Sequence, residues 1–197
     1  MTALMVALLL ALTGKPAHHP ALKLHDDVVL SAELRQVVTA IADRYHDKTR
    51  RTLEITSGVR TAERQAGAMY IKLRQGGSLS IYKQKALVTP IKEAYRAARK
   101  RKLKKEAVIA AMAAVIEAQV ARGEFLSRHL KGRAFDARII GMSGKQRAAF
   151  LQAAHEVGGV RVLIESHPPH FHVEVLPHPS EPPDTQDDPH DEGAHED

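Results

Sequence analysis

The chain has 197 residues, 44% of them hydrophobic, and this is enough for one domain with an ordinary buried core. It contains no cysteine, which excludes a disulfide scaffold and any thiolate metal site, so a bound transition metal would need imidazole and carboxylate ligands. The net charge of +6 is unevenly placed: all Lys and Arg precede Pro177, while eight acids follow it. The body is therefore strongly basic and suited to anionic polymers, whether nucleic acid, membrane surface or cell wall.

At the start, Ala3 to Leu12 form an apolar run too short to span a bilayer and of the size of a signal-peptide core. No Lys or Arg precedes it, so an N-terminal apolar segment that is not an export signal is the other reading of residues 1–21. The next segment predicts a helix capped by Ser31, with Leu34, Val37, Val38 and Ile41 at helical spacing. A β-branched stretch, Leu53 to Thr56, predicts a strand ending at the Ser57-Gly58 turn. A second helix is expected from Thr61, stopped by Gly76-Gly77.

Residues 78–124 differ from their surroundings and read as helix nearly throughout, with a Lys/Arg cluster from Arg96 to Lys105 and an Ala-rich apolar run from Ala107 to Ala121. The cluster is either a solvated helix face or helix-to-helix turn, or a polyanion-binding patch. No aromatic residue is interleaved with its bases, which counts against stacking on single-stranded nucleic acid. Further on, "ARIIG" predicts a short strand and Ser143 caps a helix that ends at Gly158-Gly159. "VRVLIES" and "HFHVEVLP", separated by the Pro168-Pro169 turn, predict two more strands. This order suggests an α+β domain over residues 22–176, with a small, mainly antiparallel sheet. The acidic tail, 177–197, has too little apolar surface to fold, and its His178, His190 and His195 read as solubilising filler or weak metal buffers.

His129 and Asp136 flank Gly132, and His170 and His172 alternate on the last predicted strand and so share one face. Two imidazoles and a carboxylate with one open position are a ligand set suited to catalytic zinc. Taken singly, each residue also has an ordinary structural role, Asp136 for instance as a cap on the "ARIIG" segment. Together they resemble a known family. "SRHLKGRAFD" is similar to the H-x-x-G-x-A-x-D signature of the zinc D-Ala-D-Ala carboxypeptidases, the LAS metallopeptidases of the hedgehog/DD-peptidase fold. "SGVRTAERQ" resembles their S-G-x-R-T…Q segment, and "IESHPPHFHVEV" resembles their closing H-x-H strand, in the same order.

The resemblance implies one zinc ion held by His129, Asp136 and His172, with water in the fourth position. It further implies Glu165 as general base, His170 as a group that orients water or stabilises the oxyanion, Arg60 as a catalytic positive fork for a substrate carboxylate or carbonyl oxygen, and Ser127 and Gln65 as further substrate contacts. Residues 78–124 become a helical insertion. One departure stands out: Pro169 occupies the place where many members carry the acid of E-x-x-H, whereas Glu165 lies seven residues before His172. His167 or His170 are then further candidates for part of the base's role. The function expected is a periplasmic or secreted zinc metallopeptidase that hydrolyses stem peptides of peptidoglycan, as a D,D-carboxypeptidase or an endopeptidase. The alternatives are a zinc-containing binding module of the same fold without turnover, and a basic protein that binds nucleic acid through the 96–105 cluster. Oligomeric state is not legible.

Overall fold

In a computed structural model the described residues are 19–166 and 168–177. The apolar run at 3–12, His167 and the acidic tail with its three histidines therefore lie outside the described residues. The elements in chain order are β1 (Leu22–Leu24), α1 (Ala32–Thr49), β2 (Leu53–Ser57), α2 (Ala62–Arg74), α3 (Lys85–Lys100), α4 (Lys105–Ala121), β3 (Ala134–Arg138), α5 (Gly144–Val157), β4 (Val160–Ser166) and β5 (Pro169–Val175). Five helices accompany one mixed five-stranded sheet of order β1-β2-β3-β5-β4, in which only β1 and β2 are parallel. No described helix is long and apolar enough to cross a membrane.

The helix starts follow from side chains that satisfy the first free backbone N–H groups. Ser31 accepts from Leu34 N, Thr61 from Arg64 N, and Ser143 with Gln146 forms a reciprocal capping box. Two apolar clusters result. One lies between the sheet and helices α1 and α5, where Phe150 stacks on Phe171 at 4.2 Å and meets Tyr45 edge-on. The other lies among α2, α3 and α4, around Met69, Ile91, Met112 and Ile116, and includes Leu79 and Leu126 from the flanking loops.

The structure corrects one expected element and adds detail to two other regions. The strand expected at "ARIIG" lies upstream, at Ala134–Arg138, because those residues pair in register with β5. Gly141, at φ +87, then turns the chain toward α5. Residues 78–124 are largely helical, as expected, and form a hairpin of α3 and α4 with the helix-to-helix turn at Arg101–Lys104, where Lys102 adopts a left-handed conformation (φ 56). The basic cluster coats this exposed break, which leaves its charges in solvent. Finally, β1 was not expected, since three residues are too few to display a period; it is fixed by pairing with β2.

Candidate metal centre

Antiparallel pairing of β3 with β5 places Asp136 directly opposite His172, and Arg138 opposite His170. Pairing of β5 with β4 then places Glu165 opposite His170. The Pro168-Pro169 corner therefore does not carry Glu165 away from the site; the hairpin register returns it to the same face, diagonal to His172. A register shift in β2 completes the row, for Ile55 faces Ala137 in the core whereas Ser57 faces Asp136.

His129 reaches this face from the loop before β3. That loop is closed by backbone hydrogen bonds from Leu130 N to Ser127 O and from Arg133 N to Arg128 O, and its turn needs Gly132, whose φ is +70. The chain after β2 holds it in place: Arg60 N donates to His129 O, and His129 Nδ1 lies 2.7 Å from Gly58 O. Gly58 cannot carry a side chain here, because a Cβ would sit 2.2 Å from Val29 O.

Three atoms converge. His129 Nε2 lies 3.2 Å from Asp136 Oδ1 and 3.2 Å from His172 Nδ1, and the last two are 3.0 Å apart. All three residues are at least nine-tenths buried. A carbonyl oxygen only accepts, so His129 Nδ1 carries the proton given to Gly58 O and its Nε2 presents a lone pair inward. His172 Nε2 lies 3.2 Å from Glu174 Oε1 and donates outward in the same way. Two inward nitrogens and a carboxylate oxygen this close repel one another unless a cation, either a proton or a metal ion, lies between them.

The titration behaviour agrees. Burial pulls His172 down, but its hydrogen bonds to Asp136 and Glu174 outweigh burial and raise it to about 9. Burial also opposes ionisation of Asp136, yet contacts with His129, His172 and Arg60 hold its carboxyl well below the usual range. His129, lowered chiefly by burial, stays neutral and ready to ligate. Glu174 is likewise pushed up by burial and brought down to about 2 by His172 and Arg161.

The group His129, Asp136 and His172 can hold a metal ion. Ligand atoms at about 2.0–2.1 Å from a tetrahedral ion are separated by roughly 3.3 Å, close to the spacings here. Both ligating rings have their outer nitrogen fixed by an acceptor, the second layer of contacts that metal-bound histidines need. Glu165, His170 and His172 form a second group that shares His172 with the first, so Glu165 lies beside the centre. Its carboxylate lies 3.4 Å from Lys72 Nζ and 4.0 Å from His170 Nε2.

Two expected substrate contacts are placed differently. Arg60 is not a free fork: its guanidinium donates to Ser57 Oγ at 2.8 Å, to Gln65 Oε1 at 3.4 Å and to Asp136 Oδ2. It braces the oxygen of Asp136 that faces away from the histidines. Gln65 is fully buried behind the wall, where its amide links Arg60 to Tyr82. Ser127 does line the cleft, and its Oγ also accepts from His129 N at 3.3 Å.

The centre opens into a cleft of about 880 Å³ between the sheet face and the α2 side. Five of the exposed large apolar residues, Ile71, Ile81, Ile140, Leu163 and Ile164, line it, an arrangement typical of binding surfaces. Sequence reasoning missed Glu174, Lys72 and Tyr82. Glu174 had a signal, since a residue two beyond His172 on a strand shares its face. Tyr82 and Lys72 had none, because they reach the cleft through the packing of α2 and the loop after it. No family model, curated protein or solved structure matches this chain.

Proposed function

We propose that the chain is a zinc-dependent metallopeptidase that cleaves peptide bonds of peptidoglycan stem peptides, as a D,D-carboxypeptidase or an endopeptidase acting outside the cytoplasmic membrane. The observation that carries this reading is the convergence of His129 Nε2, Asp136 Oδ1 and His172 Nδ1 within 3.2 Å, with both outer ring nitrogens already held by acceptors. A nitrogen- and oxygen-only set of three suits zinc and leaves a coordination position for reactants. Zinc bound there supplies Lewis acidity, which polarises a substrate carbonyl and acidifies water.

The protein's own groups do the rest. Glu165 takes the proton of the attacking water on its carboxylate and passes it to the leaving amine nitrogen, with Lys72 fixing the carboxylate's position. His170 Nε2, 3.5 Å from Asp136 Oδ1 and 4.0 Å from Glu165 Oε1, stands between ligand and base and orients the reacting water. Asp136 is kept ionised by His129 and His172 first and by Arg60 behind it, and Arg138 and Arg161 line the same cleft with positive charge suited to an acidic peptide.

The test is digestion of purified peptidoglycan by zinc-loaded and chelated protein, read by mass spectrometry, with His129→Ala and Glu165→Ala alongside. Free D-Ala identifies a carboxypeptidase and split crosslinks an endopeptidase, in either case only from the metal-loaded wild type. Stoichiometric zinc without products overturns the peptidase and leaves a binding module of the same site.

A further inference from the structure

The loop between α2 and α3 contributes a side chain whose hydrogen-bonding state can be worked out. An arginine only donates, so the Gln65 atom facing Arg60 NH1 is the carbonyl Oε1, at 3.4 Å. The amide Nε2 must then face Tyr82 Oη, at 2.7 Å. Gln65 is fully buried, so no solvent competes for either contact. An amide N–H donates; Tyr82 Oη therefore accepts, and its own proton is left for another partner. Among the described residues no group accepts that proton, and Tyr82 lines the cleft that holds the metal centre.

The ring is held as well. Tyr82 packs against the helical core, and its N–H closes a turn on Leu79 O at 3.1 Å, with Leu79 itself buried in that core. Its phenol, pushed up to about 12 mainly by burial, stays protonated at neutral pH and donates. Arg60, Gln65 and Tyr82 thus form a line that begins at the second oxygen of Asp136 and ends at the phenol of Tyr82, a residue that lines the cleft.

From this geometry we infer that Tyr82 is a hydrogen-bond donor to an oxygen of the ligand at the metal centre, namely the carbonyl oxygen that becomes negatively charged when a peptide is attacked. Gln65 is the positioning residue that aims it. The inference rests on the metal-centre reading and extends the peptidase reading: the segment carrying the inserted helices supplies part of the site. Donors aimed at a developing oxyanion are commonly worth roughly 10²–10³-fold in turnover.

Tyr82→Phe removes only the hydroxyl and keeps the ring. The decisive readout is independent of turnover: cobalt-loaded protein is titrated with acetohydroxamate, an oxygen-donor metal ligand, and followed in the visible spectrum. Tyr82→Phe is expected to bind the hydroxamate roughly 10- to 100-fold more weakly, the effect of one hydrogen bond to a charged group. Cobalt stoichiometry and thermal unfolding should be unchanged. On stem peptides the variant should lose kcat with KM little altered. Equal hydroxamate affinity in both proteins overturns the inference whether or not the wild type cleaves peptide. Weaker binding by the variant with an inactive wild type supports it and sinks the peptidase alone, and a chain that takes up no cobalt overturns both.

Discussion

Along β3 and β5, neighbouring residues answer to different demands. The odd positions Phe135, Ala137, Phe171 and Val173 are fully buried in the core against α1 and α5, whereas the even positions Asp136, Arg138, His170, His172 and Glu174 face the cleft. One face holds the sheet to its helices and the other gathers polar groups at a single point. Because the side-chain period is two, a slip of one residue would exchange the two sets, so the packing of Phe171 on Phe150 fixes the register that puts His172 opposite Asp136. Core and centre are thus coupled through register, while their energies remain separable.

That separation can be tested from each side. His172→Ala on the even face should abolish stoichiometric zinc uptake, a loss greater than the roughly 100-fold seen when only an outer contact of a ligand is removed, while cooperative unfolding persists. Metal analysis after dialysis against a competing chelator, paired with thermal unfolding, checks both halves. Phe171→Ala on the odd face should cost about 3–5 kcal/mol in denaturant unfolding, yet leave the zinc affinity of molecules that remain folded unchanged. If it weakened zinc binding per folded molecule as much as His172→Ala, the two faces would not be separable. Glu174→Gln is a milder probe, since it removes the carboxylate behind His172; a roughly 10- to 100-fold loss of zinc affinity is expected by calorimetric competition.

The smallest effect is on pH dependence without metal. The Glu174 carboxyl is lowered from 4.5 to about 2, so its contribution to stability is complete above about 4.5 and disappears as pH falls toward 2. His172 is raised from 6.5 to about 9, so its contribution is complete below about 6.5 and disappears as pH rises through 9. Metal-free protein should be most stable between these limits. Denaturant midpoints from pH 2 to 10 would show the dome, and Glu174→Gln should make its acid side shallower, the part set by Asp136 remaining.

The same contrast explains what the amino-acid sequence discloses. Ser31, Thr61 and Ser143 announce their helices because capping is a local transaction between a side chain and the next turn. The alternation of β2, β4 and β5 is equally local. The frame of β3 is not: "AFDARIIG" offers apolar residues in either frame, and only pairing with β5 selects Ala134–Arg138. In the centre, His129, Asp136 and His172 are named by the family resemblance, and they converge in a group that can hold a metal ion. The delivery of Glu165 past two prolines depended on hairpin register, and the commitment of Arg60 to Asp136 on the turn that follows β2. Tyr82 joins through tertiary packing alone, for which the sequence has no period or motif.

Glu174 has a further consequence through its many partners. It meets His172 on its own strand, Arg161 on the edge strand β4 at 2.6 Å, and Arg128 next to His129 at 3.4 Å. Anything that firms this hub is felt by the outermost strand as well as by the ring it supports. An ion bound beneath should therefore slow amide hydrogen exchange along Val160–Ser166, a strand that contributes no ligand but pairs with the one carrying His172, so that the quietness of a sheet margin reports the occupancy of the centre.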